Sequence, residues 1–358
     1  MANSTNRLII IGDNDSLHIK YWHNYLNQKH EIFLIKSHAI KTKTSFKSWF
    51  RLFLEIKKIR PSVICVHYVT IFSLPLVILR TPKIVLHAYG SDFYWLKSQK
   101  KKTLKDIITK YILQLLLKRA NKILLSSEAL SKFLQESYKA QKNKIKVISW
   151  GIELDKIKPD ANAKFILNKF GIPAGKEIFL CTRAFQALHN HLNLIKAFGK
   201  FVIENENKNY HLVLTCSYGD KTYFNFLQEH LRKLKIKDSI TLNWGYLGFE
   251  ELSFLLKNTK LYFSLPDTDQ LSASLLEAMY MGCFPVVSNI AAYREIIRDG
   301  FNGFFTDQKN ETAIVDSICR ALVLIQHHTG YKMFNRDMIM KDHSRQVQAE
   351  KMYREIIA

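Results

Sequence analysis

The chain has 358 residues, 47% of them apolar and 12% aromatic, with 13 Gly, 7 Pro and a formal net charge of +22. That length and composition suit two ordinary globular domains and exclude collagen-like, low-complexity and wholly disordered chains. No apolar run reaches the roughly 18 residues a membrane-spanning helix needs. The longest candidate, Val69 to Leu79, contains Pro75 and stops at Arg80, and Leu8 to Ile11 is too short for a signal-peptide core. The protein is therefore expected on the cytoplasmic side. Five scattered cysteines without CxxC spacing read as small buried hydrophobes in a reducing compartment.

In chain order, short apolar runs alternate with helical patterns. Strands are expected at Leu8–Ile11, Ile32–Ile35, Val63–Val66, Ile84–His87, Ile123–Ser126 and Lys146–Ile148, with helices from His18 to Leu26 and over 45–59, 103–120 and 128–138. The pattern restarts after Gly151, with strands at 178–182, 211–215, 240–243, 261–264 and 284–288 and helices at 189–204, 221–234, 249–257, 271–281 and 292–297. Strands alternating with helices make parallel, doubly wound sheets. The expected fold class is therefore α/β, with two tandem Rossmann-like domains and the cleft between them as the default site. The expected boundaries are 1–155 and 156–340, and a last helix within 341–358 is expected to return to the first domain.

The usual nucleotide fingerprints are missing. No G-x-G-x-x-G follows the first strand, and Gly171-Ile172-Pro173-Ala174-Gly175-Lys176-Glu177 has the wrong spacing for a phosphate loop. The chemistry concentrates instead between Leu261 and Phe305. There a strand ends at Leu265-Pro266, and Asp267-Thr268-Asp269-Gln270-Leu271-Ser272-Ala273-Ser274 leads into a helix that carries Glu277. Small and hydroxyl residues opening a helix directly after a strand form an anion site suited to a diphosphate. Gly282-Cys283-Phe284-Pro285-Val286-Val287, Arg294-Glu295-Ile296-Ile297 and Gly300-Phe301-Asn302-Gly303 follow.

This run resembles glycosyltransferase family four, a group of retaining enzymes with the GT-B fold, whose Glu-x7-Glu motif is matched by Asp269-x7-Glu277. The resemblance implies that Asp269 contacts donor-sugar hydroxyls, that Glu277 contacts the nucleotide ribose, and that the N–H groups near Ser272 and Ala273 hold the diphosphate. Arg183, with His189, Asn190 and Ala197-Phe198 after it, resembles the family's arginine segment and would neutralise the departing diphosphate. The lysine that the family often places after this arginine is absent, and His189 is the nearest substitute; the resemblance implies that His189 and Asn190 contact the donor. Asn243-Trp244-Gly245-Tyr246 resembles a turn whose Gly245 and Tyr246 would meet the base.

In the first half, Gly12 with His18 and Trp22 resembles the family's opening glycine loop, which implies that Gly12 is a substrate contact, and Ser62 to His67 resembles a second family strand. His87-Ala88-Tyr89-Gly90-Ser91-Asp92 resembles the "HGSD" segment, which implies that His87 is a catalytic cleft residue and Asp92 a ligand contact. Val147 to Glu153 matches the entrance to the linker. The likeness implies transfer of a sugar from a nucleotide-sugar donor with retention of configuration and with no metal or other cofactor. Asp267-Thr268-Asp269 also spells the D-x-D metal motif of single-domain transferases, but tandem Rossmann-like halves argue against that reading.

The charge is uneven. Residues 1–150 hold 27 Lys and Arg against 8 Asp and Glu, whereas residues 151–358 hold 26 against 23. A basic half beside a nearly neutral one is expected to face something anionic. Two of its stretches are basic and amphipathic. One runs from Lys41 and Lys43 through Phe46, Lys47, Trp49, Phe50 and Arg51 to Lys57, Lys58 and Arg60. The other runs from Lys97, Lys100, Lys101, Lys102 and Lys105 to Ile107, Ile108, Tyr111, Ile112, Leu115 and Leu116. Such patterns suit a helix lying on an anionic bilayer. The expected acceptor is thus a lipid-linked glycan of surface polysaccharide or lipopolysaccharide assembly, with the enzyme at the inner face of the membrane. A small soluble acceptor is the second reading. Nucleic-acid binding, from another class, lacks stacking aromatics or a reading helix and is not expected.

Overall fold

The structure is a computed structural model that describes residues 7–14, 16–36, 46–98, 103–156, 163–204 and 209–357, the side chains of 17, 18, 95–98, 105 and 163 aside. Lys41, Lys43, Lys100, Lys101 and Lys102 lie outside the described residues, as do the side chains of His18, Lys97 and Lys105. The chain divides into two compact units, residues 1–150 with 348–358 and residues 151–347.

The first unit is built on six parallel strands: β1 (Arg7–Gly12), β2 (Glu31–Lys36), β3 (Val63–His67), β4 (Lys83–His87), β5 (Lys122–Leu125) and β6 (Ile145–Val147), in the order β2-β1-β3-β4-β5-β6. Continuous apolar runs such as Leu8 to Ile11 and Val63 to Val66 are buried, as strands covered on both faces require. Helices α1 (Leu17–Asn27), α2 (Phe46–Ile59), α3 (Ser91–Ser98), α4 (Leu104–Arg119) and α5 (Glu128–Tyr138) connect them. The apolar run at Val69–Leu79 forms a 3-10 turn, Ile71–Val77, because Pro75 cannot extend an α-helix. This turn packs against both α2 and α4.

The second unit repeats the plan with β7 (Glu177–Cys181), β8 (Tyr210–Cys216), β9 (Ile240–Trp244), β10 (Thr259–Ser264), β11 (Phe284–Ser288) and β12 (Phe304–Thr306), in the order β12-β11-β10-β7-β8-β9. Its helices are α6 (Ala163–Lys169), α7 (His191–Glu204), α8 (Lys221–Arg232), α9 (Phe249–Lys257), α10 (Ala273–Tyr280), α11 (Glu311–His327) and α12 (Gly330–His343). The helix expected at 292–297 is only a short 3-10 turn, Tyr293–Glu295, while α6, β12, α11 and α12 go beyond the sequence reading. The last helix, α13 (Arg345–Ile357), supplies Ala349, Met352 and Ile356 to a core with Leu8, Ile10 and Trp22.

Gly12 ends β1 where α1 crosses it. A Cβ there would lie 2.2 Å from Ile19 Cδ1 and 3.1 Å from His67 Cβ, so the residue's visible role is close strand–helix packing. Gly12→Ala is expected to destabilise the fold, and Ile19→Val, which removes the clashing methyl, should relieve part of the loss. The double variant should then be less destabilised than the two singles summed, by about 0.5–3 kcal/mol in urea unfolding. Simple additivity would remove the packing explanation.

Candidate functional site

In the second sheet, strand order reverses between β7 and β10. The carboxyl ends of strands at such a reversal are where open α/β sheets bind ligands. Arg183 follows β7, and Asp269 and Ser272 follow β10, so chain topology brings three residues from two distant segments to this point. Arg183 Nη2 lies 2.6 Å from Asp269 Oδ2, and Arg183 Nη1 donates to Ser272 Oγ and, at 3.3 Å, to Ser274 Oγ. Tyr293 donates to the same Asp269 oxygen at 2.8 Å and meets Ser264 Oγ at 2.7 Å, while Gln270 N donates to Asp269 Oδ1. Ser272 caps α10 by accepting from Leu275 N. Burial opposes charge on Arg183, yet Asp269 and then Tyr293 more than offset it and hold the guanidinium firmly protonated. Its Nε is buried without a partner among the described residues. The result is a fixed cation beside the first turn of a helix, whose N–H groups and dipole favour an anion.

Glu277 lies in the second turn of α10 and is half-buried. Burial raises its carboxyl to about 7, with Arg345 opposing the shift and Glu153 adding to it. Arg345 itself contacts Glu153 at 3.6 Å and donates to Gly151 O at 3.2 Å. Gly245 N bonds Cys216 O at 3.3 Å, and Tyr246 beside it is exposed.

Several expected residues are placed differently. His189 is buried, and burial followed by Arg183 lowers it to about 2, so in the ligand-free chain it is a neutral imidazole without a lysine's charge. Asn190 is committed to holding its loop. Its amide donates to Leu265 O and Asp267 Oδ1, both at 2.8 Å, and its oxygen accepts from Lys309. Lys309 also pairs with Asp267 at 2.7 Å. The two carboxylates of Asp267-Thr268-Asp269 are thus turned to different cations. Among the described residues, no group of three or more His, Cys, Asp or Glu is placed to share a metal ion.

In the first unit, His87 is fully buried rather than lining a cleft. Its ring stacks on His67 at 4.0 Å and on Trp150 at 5.6 Å, neither ring nitrogen has a partner among the described residues, and burial lowers its pKa to about 3. Sequence could not show this, because the covering Trp150 lies far along the chain. Asp92 is likewise buried, accepting from Val69 N and Tyr89 N at 3.1 Å, so its visible work is to tie the loops after β3 and β4. Tyr293, Ser264, Ser274, Lys309 and Arg345 are the site neighbours that sequence reasoning missed. Ser274 stood inside the quoted run that opens α10, Ser264 ended an expected strand, and Tyr293 immediately preceded the quoted Arg294-Glu295-Ile296-Ile297, whereas Lys309 and Arg345 had no such signal.

Two family models match the chain side by side. Glycosyltransferase Family 4 matches residues 23–156, and Glycosyl transferases group 1 matches residues 162–327. An uncharacterised glycosyltransferase of Methanocaldococcus jannaschii is 25% identical over 345 residues, spanning 94% of this chain and 78% of that protein. Among solved structures, sucrose-phosphate synthase from Thermosynechococcus elongatus aligns with a TM-score of 0.78 at 13% identity, over 98% of this chain and 99% of its own. A glycosyltransferase from Rickettsia africae aligns at 0.74 and 15%, over 99% of both chains. Anabaena HepE in complex with UDP and glucose aligns at 0.74 and 12%, over 98% of both. At these identities the structures establish the two-domain α/β GT-B fold. With the two family patterns matched in order along one chain, the protein belongs to glycosyltransferase family four and is a glycosyltransferase.

Proposed function

We propose that the second unit binds a nucleotide sugar and that the sugar passes to a lipid-linked glycan acceptor at an anionic membrane surface, in the assembly of a surface polysaccharide or lipopolysaccharide. The observation that carries the donor half is the Arg183–Asp269–Ser272 cluster at the strand reversal. In this reading Arg183 and the first turn of α10 hold the diphosphate, Asp269 accepts from sugar hydroxyls, and Glu277 accepts from the ribose. Solved structures of HepE with UDP and with UDP-glucose support a nucleotide-sugar donor. Neither a metal nor another cofactor is required, since Arg183 and the helix end supply the positive charge. The sugar is transferred with retention, the leaving phosphate taking the acceptor's proton on the same face. NMR of the first product should show the donor's anomeric configuration, and inversion would overturn this step.

A thermal-shift screen with UDP, GDP and ADP tests the donor site. A nucleotide at 100 times its Kd stabilises by about 2.7 kcal/mol, and no shift with any of the three would sink the assignment.

The pH dependence of affinity tests Glu277. If its carboxylate accepts from ribose hydroxyls, affinity should rise with pH up to about 7 and level off above, because only the ionised form accepts twice. Stability of the ligand-free chain should run the other way. The folded state holds this proton more tightly than the unfolded chain does, so stability falls as pH climbs from the ordinary carboxyl range toward about 7. Calorimetric titration of Glu277→Gln should lose the rise in affinity, and an unchanged profile would exclude the role.

A further inference from the structure

The first unit has a pocket of about 430 Å³ at the carboxyl ends of β1 and β2, beside the reversal of strand order between β1 and β3. Lys36 closes β2 there, and Lys47 and Arg51 face the pocket from consecutive turns of α2. Glu55 also lines it, paired with Arg51 at 3.0 Å, so the described lining residues carry three cations against one carboxylate. The walls are apolar, from Leu34, Leu52 and Phe72. Asn14 adds a buried amide oxygen with no hydrogen-bond partner among the described residues. A second pocket of the unit, lined by Asp92 and Asp106, has the opposite sign.

Outside the rim, Phe46, Phe50 and Leu54 of α2 are each half or more exposed and recur every four residues, so they form one row along the helix. On a helix, positions 47 and 51 lie directly beside that row. Cations over an apolar wall, next to an exposed apolar row, match a ligand with a phosphate at one end and a hydrocarbon chain at the other.

We propose that this pocket is the acceptor's lipid-phosphate site. Lys36, Lys47 and Arg51 take the phosphate, Asn14 Oδ1 accepts from a hydroxyl of the group esterified to it, and the chain lies along Phe46, Phe50 and Leu54. The proposal rests on the lipid-linked reading above and gives the acceptor a specific place.

Dodecyl phosphate below its micellar concentration is the probe, read by calorimetry on the full chain against inorganic phosphate and dodecyl maltoside. Dodecyl phosphate should bind at least tenfold more tightly than either control. Lys47→Glu with Arg51→Glu should weaken it at least tenfold while leaving nucleotide affinity and melting temperature within error. Phe50→Ser should weaken dodecyl phosphate but not inorganic phosphate. Equal affinity for inorganic phosphate would mean an anion site without lipid recognition and would overturn the proposal, as would binding indifferent to the charge reversals. Anionic-vesicle binding in the same samples separates the two levels. A parent that binds vesicles but not dodecyl phosphate loses this site and keeps the membrane reading, whereas one that binds neither loses both.

Discussion

Arg183→Ala is expected to lower turnover by roughly 10² or more, with whichever nucleotide sugar the thermal-shift screen identifies. That is the scale of losing one preorganised donor to a developing oxyanion. The guanidinium is mostly buried, fixed by Asp269 at 2.6 Å and by Ser272 and Ser274, so it needs little rearrangement to meet charge on a departing diphosphate. Removing it also leaves the Asp269 carboxylate without its cation in a partly buried place, which by itself costs stability. Two further variants separate the effects. Arg183→Lys restores the charge without the fork and should recover only part of the rate. Asp269→Asn keeps the shape, and a folded Asp269→Asn chain that also loses turnover would place the pair in the reaction. Activity of Arg183→Ala within twofold of the parent, in a chain that melts normally, would rule the role out.

All the strands but β12 were legible, most readily the central ones, which are buried on both faces and therefore read as short, continuous apolar runs bounded by helical patterns. Helix α10 was legible for a different reason, since Ser272 announces a cap and small residues follow it. What stayed hidden depends on contacts between distant segments. The partner of Asp269 is an arginine from the turn after β7, and the partner of Asp267 is Lys309, after β12. No local pattern links them. His87 shows the same limit from the other side. Its strand position and motif suggested exposure at a ligand edge, but Trp150 and His67 cover it. Asn190 and Asp92 were expected to contact ligands, but their hydrogen-bonding capacity goes to backbone and loop partners, which sequence does not reveal.

Binding to anionic but not zwitterionic vesicles is the second large effect expected. Helix α4 is apolar on two sides. Leu113, Leu116 and Leu117 face the core, whereas Leu104, Ile107, Ile108 and Tyr111 are each more than half exposed on the opposite side. A helix with apolar residues on two opposite sides, only one of them packed on the core, leaves an apolar face to be covered. The 3-10 turn at Ile71–Val77 packs between α4 and α2, whose row of Phe46, Phe50 and Leu54 is also exposed, and Ile78 at its end is exposed too. Three exposed apolar elements on the unit that carries the basic excess fit a bilayer with negative headgroups. Each lysine near that surface adds on the order of 1 kcal/mol, and the attraction is screened within about 8 Å at physiological salt. High salt should therefore release most of the protein. Ile107→Ser with Ile108→Ser should weaken vesicle binding severalfold, and reversing Lys100, Lys101, Lys102 and Lys105 to Glu should weaken it further, with nucleotide affinity unchanged in both. Co-sedimentation at low salt decides the matter, since a parent chain that stays in the supernatant with anionic vesicles leaves the soluble-acceptor reading in its place.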